Sequence, residues 1–158
     1  MTTYIKFYSY TRLTGVLALL VSFALPTARA QGGPQPRLPT TPLVAGMHVI
    51  QAEVAQTPEQ QAAGMMFRRE MGPNEGMLFF NREPGVRCFW MRNTLLPLSI
   101  AFIADDGTVV NTAEMQPQSD ESHCSARAVR FALEMRQGWF SKHGIGAGFK
   151  LRGAPFGN

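Results

Sequence analysis

Short apolar runs bounded by turn-forming residues constrain the fold of this chain more than any other feature of its sequence. In residues 48–54 apolar and polar side chains alternate, which is typical of a half-buried strand. Comparable runs of strand length follow along the chain, at residues 77–80, 87–91, 96–104, 108–110 and 129–135. Many short strands with turns at close intervals predict a mainly β domain, built as a compact sandwich or a barrel-like arrangement with one or two short helices.

Two local signals refine this prediction. Thr57, Pro58 and Gln60 form a capping-box pattern, which predicts a short helix over residues 58–66. Asp-Asp-Gly at residues 105–107 is typical of a tight hairpin turn, because glycine accepts the positive dihedral angles that such a turn requires.

The last predicted strands bear on both the core and the closure of the sheet. In residues 129–135 apolar residues alternate with Arg130, Ala132 and Glu134, which predicts a half-buried strand with a charged outer face. A helical turn is expected over 139–143, and residues 148–151 are expected to close the sheet.

The first thirty residues have the pattern of an export signal. Lys6 and Arg12 precede an apolar stretch over residues 13–25, and Ala28-Arg29-Ala30 supplies a small-x-small cleavage site. The alternative, a retained anchor, is disfavoured because the stretch is shorter than the roughly 20 residues of a spanning helix. We therefore expect a periplasmic or secreted protein with no stable membrane span after cleavage.

Removal of this segment changes the charge of the chain. The whole sequence has a formal net charge of +4, but residues 1–30 contain three basic residues and no acidic ones, so the mature chain carries +1. Nucleic-acid-binding proteins usually present clustered basic residues, and no such cluster is present in the sequence. The composition therefore argues against a nucleic-acid partner.

The remaining residues suffice for one domain. Residues 31–46 are rich in proline and glycine and are expected to form an extended linker, followed by a folded domain over 47–153 and a tail over 154–158. Cys88 and Cys124 are the two cysteines of the chain, and an even count in an exported protein predicts a disulfide between them.

Several blocks of sequence, in this order, closely resemble the DUF192 family (UPF0127): GMMFR at 64–68, EGMLF at 75–79, FWMRNTLLPL at 89–98, IAFI at 100–103 and ALEM at 132–135. The resemblance covers about residues 48–152 and implies a compact, mainly β domain of a kind that is often exported. The family has no established biochemical function, so the resemblance implies no activity. Many relatives carry aspartate where this chain has Ser99, so a catalytic or metal-binding role of that carboxylate would not carry over.

The best polar candidates for a site lie in these blocks. Two interpretations remain open: a hydrogen-bonded clasp in which Arg68 reaches Glu134, or a ligand site in which the Arg68 guanidinium binds an anion. Residues 92–94 are interpreted first as a turn, and Trp90 as an aromatic side chain available for stacking. The tentative ligand-binding set is Arg68, Trp90, Arg92, Asn93, Thr94 and Glu134.

Three classes of function follow. The first is a non-enzymatic binding module for a small molecule, glycan or peptide. The second is an enzyme, hydrolytic if any, although Ser99, His123 and Asp120 lack the glycine pattern that surrounds a nucleophilic serine. The third is a copper-handling protein, which would use the thioethers of Met47, Met65, Met66, Met71, Met77, Met91, Met115 and Met135, although packing of methionines in the core is the simpler interpretation. No cofactor, no metal site and no oligomeric state is predicted.

Overall fold

A computed structural model describes residues 32–156 as a mainly β domain, as the sequence predicted. One sheet has six strands and a second has two. The strands are β1 (Thr40–Ala45), β2 (His48–Ala55), β3 (Glu75–Gly85), β4 (Cys88–Phe89), β5 (Leu98–Ile103), β6 (Val109–Met115), β7 (His123–Cys124) and β8 (Val129–Arg136), and the helices are α1 (Pro58–Ala63) and α2 (Trp139–Lys142).

The large sheet has the strand order β1-β2-β3-β8-β5-β6. All neighbouring strands are antiparallel except β2 and β3, which are parallel because α1 and the segment after it cross between them. β4 and β7 form the small sheet.

The C-terminal segment joins the two edges of the large sheet. Val44 in β1 exchanges backbone hydrogen bonds with Arg152, at 2.8 and 2.9 Å, and the Val109 amide in β6 donates to the Phe149 carbonyl at 2.8 Å. Residues 149–152 therefore contact both edge strands, and the sheet curls into a barrel-like arrangement, as expected from the sequence.

Both faces of the large sheet are buried. One face packs against α2 and the C-terminal segment, in a cluster that includes Leu78, Phe131, Leu133, Trp139 and Phe140. The other face carries a second cluster, which contains Met65, Met77, Phe79, Met91, Ile100 and Phe102. The prediction of a charged outer face for residues 129–135 is therefore wrong, because side chains from the segment after α1 and from Met91 pack on that face and Glu134 is only 4% exposed.

The helix signals are confirmed with a shorter boundary. The Thr57 side chain accepts a hydrogen bond from the Gln60 amide and the Gln60 side chain accepts one from the Thr57 amide, so the capping box is formed. α1 ends before Gly64, three residues earlier than predicted, since Gly64 adopts a positive φ of 46° that ends the helical hydrogen-bond pattern.

The sheet begins earlier than the sequence predicted. β1 lies inside residues 31–46, and Leu43 and Ala45 in this strand are buried. Pro42 fits in β1 because the strand is at the edge of the sheet. Met47, the expected start of the domain, is 94% exposed in the turn between β1 and β2.

The predicted signal peptide, residues 1–30, and the last two residues of the predicted tail lie outside the described residues. Within residues 32–156, no helix has both the length and the apolar character needed to cross a membrane.

Candidate functional site

A pocket of about 450 Å³ lies on the second face of the large sheet. Its walls come from α1 with the residues just after it, from β3 and β8, and from residues 86–90, which include β4. This volume falls in the range of pockets that bind small molecules, roughly 300 to 1,000 Å³. Its lining includes Met65, Phe79, Arg87, Phe89, Trp90, Thr94 and Glu134.

Glu134 is the buried carboxyl group of this pocket. In β8 it lies in register with Met77 on β3 and Ile100 on β5, both fully buried. Neighbours in register project to the same face of a sheet, so the carboxyl group lies between two apolar side chains. Glu134 Oε2 is buried and has no hydrogen-bond partner within residues 32–156.

The surroundings of Glu134 determine its charge. Burial among apolar side chains raises the pKa of Glu134 from 4.5 to about 8, because the ionised form loses its hydration. The carboxyl group is therefore mostly protonated at neutral pH, and in that state it can donate as well as accept a hydrogen bond.

Arg87 contributes the second polar group without a partner. It lines the pocket, and its Nε is buried and unpaired in the described part of the chain. Its Nη2 donates to the Glu83 carbonyl at 2.5 Å, which fixes the guanidinium group. The sequence offered no signal for Arg87, because an arginine in a predicted strand is usually a solvated side chain.

Two neighbouring aromatic residues have different environments. Phe89 packs edge-on against Phe79, with ring centroids 4.9 Å apart, and lies 5.9 Å from Phe102. Trp90 is 52% exposed at the edge of the pocket, and the Arg92 guanidinium lies 4.8 Å from the centre of its ring. Phe89 therefore belongs to the core and the pocket wall, whereas Trp90 faces solvent as well as the pocket.

Residues 92–94 form a turn, as expected. The Thr94 amide donates to the Met91 carbonyl at 2.9 Å, and Asn93 adopts a positive φ of 58°, which asparagine tolerates better than most residues. The Asn93 carbonyl accepts from the Phe67 amide at 2.8 Å. Thr94 is buried and lines the pocket, whereas Asn93 and Arg92 are exposed outside the pocket lining.

The predicted contact between Arg68 and Glu134 is wrong. Arg68 Nη1 and Nη2 donate instead to both carboxylate oxygens of Glu53, at 2.5 and 2.7 Å. Glu53 also accepts hydrogen bonds from the Leu38 amide and from Arg37. Arg68 thus pairs with β2 and does not line this pocket. The pairing was not predicted, because the alternation of residues 48–54 assigned Glu53 to the polar face of the strand.

The charge of Glu53 follows from these contacts. Burial alone would raise its pKa, but the hydrogen bonds from Arg68, from the Leu38 amide and from Arg37 outweigh burial and lower the pKa to about 2. Glu53 is therefore ionised at neutral pH, in contrast to Glu134.

Cys88 and Cys124 form the predicted disulfide. They lie opposite each other in β4 and β7, separated by 36 residues along the chain. Both cysteines are exposed, and Cys88 lines the pocket. The disulfide therefore links the two strands of the small sheet, at the position where that sheet forms one wall of the pocket.

Ser99 lies in β5, which is buried on both faces. Its hydrogen-bond partners are neither His123 nor Asp120. Its hydroxyl donates to Glu114 Oε2 at 2.6 Å and accepts from the Gly138 amide at 2.8 Å. Ser99 and Glu114 are in register across β5 and β6, so a carboxylate lies directly opposite the Ser99 hydroxyl. The Ser99 hydroxyl is thus used in a structural contact and is fully buried.

The methionines are core residues for the most part. Met65, Met71, Met77, Met91 and Met115 are buried in the second apolar cluster. Packing accounts for this placement, since methionine fills irregular apolar spaces. Residues 32–156 contain no group of three or more His, Cys, Asp or Glu side chains suited to hold a metal ion.

Taken together, these features define a small β domain with an apolar pocket and one buried carboxyl group in it. The protein belongs to the DUF192 family, described as "Uncharacterized ACR", whose sequence profile matches residues 41–153. Among curated proteins, none matches this chain.

Two solved structures are similar to the domain. The crystal structure of a protein described as a candidate transcription regulator, from Sinorhizobium meliloti 1021, is 35% identical, with a TM-score of 0.69 over 74% of this chain and 94% of that one. The crystal structure of a protein of unknown function from Novosphingobium aromaticivorans is 38% identical, with a TM-score of 0.69 over 73% of this chain and 86% of that one.

Proposed function

We propose that this protein is an exported binding module that takes a small ligand, in the size range of an amino acid, short peptide or small glycan, into the pocket beside Glu134. The observation that carries this proposal is the buried Glu134 carboxyl group, which lines the pocket and has no partner for Oε2. A buried polar group without a partner costs about 1 to 3 kcal/mol. A ligand that bonds to the carboxyl group would recover this free energy.

Binding fits the pocket better than hydrolysis does. A hydrolytic mechanism of the two-carboxylate type needs a second acidic group across the substrate. Glu134 is the sole acidic side chain in the pocket lining among the described residues. The three polar residues of the sequence-predicted set that line the pocket, Trp90, Thr94 and Glu134, suit orientation of a ligand.

Export is part of the proposal because two features support it independently. Residues 1–30 have the charge and apolar pattern expected of a cleaved signal peptide. The exposed pair Cys88 and Cys124 is bonded, and exposed disulfides persist in oxidising compartments rather than in the cytosol. We therefore propose that the mature domain binds its ligand in the periplasm or outside the cell.

The proposal is tested by blocking the pocket from its edge. Ala62 on α1 is exposed and lines the pocket, so Ala62→Trp fills the entrance without changing the core. Two-dimensional amide NMR of the mature oxidised protein would follow the addition of amino acids, dipeptides and disaccharides. We expect at least one class to shift the amide signals of Phe89, Thr94 and Glu134 in the wild type and not in Ala62→Trp.

Glu59→Trp supplies the matched control, because Glu59 is exposed on the same helix and is outside the pocket lining. This variant should respond like the wild type. Ligand shifts that persist in Ala62→Trp, or a wild-type protein whose pocket signals respond to none of these probes, would contradict the proposal.

A further inference from the structure

A carboxyl group and a guanidinium group each have an unpaired atom in the lining of the same pocket. Glu134 Oε2 and Arg87 Nε are both buried and both lack a hydrogen-bond partner in the described part of the chain. Both residues line the pocket, yet among residues 32–156 they form no ion pair with each other. The pocket lining therefore contains both a carboxyl group and a guanidinium group that can bond to a ligand.

We infer that the ligand is a zwitterion of the amino-acid or short-peptide class, with its ammonium group on Glu134 and its carboxylate on Arg87. This inference rests on the proposed function and specifies the ligand of that pocket. Carboxylates are good partners for guanidinium groups. An ammonium group donates up to three hydrogen bonds, and an unpaired carboxyl oxygen can accept one of them.

The remaining wall of the pocket suits an apolar side chain. Met65, Phe79 and Phe89 line it, and the two phenylalanine rings pack edge-on at 4.9 Å between centroids. Thioether and aromatic side chains adapt to apolar ligand groups of different shapes. An apolar or aromatic amino acid would therefore place its side chain here while its charged groups bond to Glu134 and Arg87.

Ligands with one charge satisfy only half of the pocket. A simple amine would leave Arg87 unpaired beside a second cation, and a simple carboxylate would offer no cation to pair with an ionised Glu134. A neutral sugar would leave the buried guanidinium Nε without an anion. A ligand that carries both charges gives each of the two buried groups a charged partner, and charge-assisted hydrogen bonds are roughly twice as strong as neutral ones.

Binding of the ammonium also changes the charge of Glu134. Its neighbours in register, Met77 and Ile100, are apolar, and the other ionisable group of the pocket lining is Arg87. An ammonium beside the carboxyl group favours the ionised form, so binding at neutral pH transfers the Glu134 proton to solvent. The complex then has a carboxylate paired with the ammonium and a guanidinium paired with the carboxylate of the ligand.

The test compares ligands from which one charge has been removed. Mature oxidised protein would be titrated with L-phenylalanine and the dipeptide Ala-Phe, with phenylalanine amide, which lacks the carboxylate, and with N-acetylphenylalanine, which lacks the ammonium. We expect one or both zwitterions to bind, and each single-charge relative of the binder to bind roughly tenfold more weakly or worse.

Two substitutions assign the charges to their partners. Glu134→Gln should lower the affinity for the zwitterion to that of the N-acetyl compound, and leave the affinity for the N-acetyl compound unchanged. Arg87→Gln should lower it to that of the amide, and leave the affinity for the amide unchanged. Amide NMR spectra of the free variants show that each is folded, so a lost affinity is not read as a lost fold.

The outcomes separate this inference from the proposed function. If single-charge compounds bind as tightly as the zwitterions, or if only a neutral disaccharide shifts the pocket signals, the pocket is a binding site for another class of ligand and this inference is overturned. If no probe shifts the pocket signals, the inference and the proposed function both fail.

Discussion

Arg68 and Glu53 form a buried pair in which Arg68 Nη1 donates to Glu53 Oε1 at 2.5 Å and Nη2 donates to Oε2 at 2.7 Å. Their side chains are 6% and 4% exposed. The pair joins the segment after α1 to β2, and Glu53 also accepts from the Leu38 amide. Arg68 therefore links two segments of the fold and lies outside the lining of the pocket that contains Glu134.

The first prediction concerns this pair. Arg68→Ala leaves the Glu53 charge buried without its main partner, so we expect the free energy of unfolding to fall by about 3 to 5 kcal/mol. Circular dichroism melts provide the measurement.

Arg69→Ala is the control for this variant, because Arg69 is the exposed neighbour of Arg68. It should change the free energy of unfolding by no more than about 0.5 kcal/mol. Equal melting temperatures for Arg68→Ala and Arg69→Ala would show that the pair does not support the fold.

The second prediction concerns acid stability. The pKa of Glu53 is lowered from 4.5 to about 2, so its contribution to stability is present above the unfolded pKa near 4.5 and is lost as the pH falls towards 2. The loss should approach about 1.4 kcal/mol per pH unit within that window. Urea unfolding at pH 5 and pH 3 measures this loss. If a Glu53→Gln variant loses as much stability between these two pH values as the wild type does, the loss comes from other groups.

The third prediction concerns the disulfide. Cys88→Ala or Cys124→Ala should lower the free energy of unfolding of oxidised protein by about 3 to 4 kcal/mol, since the bond closes a loop of 36 residues' separation. Reduction of the wild type with dithiothreitol should lower its melting temperature about as much as either substitution does. The reductant can reach the bond because both cysteines are exposed. Unchanged melting temperatures in the variants would remove the stabilising role.

The fourth prediction concerns Ser99. Ser99→Asp places a second carboxylate opposite Glu114 at a fully buried position, and we expect a loss of at least about 1 to 2 kcal/mol from the like charges and the lost hydroxyl contact. The double variant Ser99→Asp/Glu114→Gln should recover most of this loss. Failure of Glu114→Gln to restore stability would show that the two side chains do not act on each other.

The elements of the fold were accessible from the sequence because their signals are local. The capping box at Thr57 to Gln60 and the hairpin at residues 105–107 depend on neighbouring residues, and both are formed. β1 was missed because its proline suggested a linker, and only its place at the sheet edge makes that proline acceptable.

The site was less accessible because it depends on contacts between distant segments. Glu134 alternates with apolar residues as a solvent-facing glutamate would, and it is buried because side chains from the segment after α1 and from Met91 pack on that face. The sequence contains several acidic residues with which Arg68 could pair. Its pairing with Glu53 depends on where the connection between β2 and β3 places Arg68. Local patterns do not carry this information.

The proposed site depends on Glu134 being a buried carboxyl group whose Oε2 has no partner. Titration of Glu134 tests this most directly. Carbon-13 NMR of the Glu134 side-chain carboxyl carbon, assigned by comparison with Glu134→Gln, reports its ionisation in the free oxidised protein. Burial raises the pKa of Glu134 to about 8, so we expect its signal to move around that pH and not near 4.5. A midpoint close to 4.5 would mean that the group is hydrated or paired, and would contradict the account.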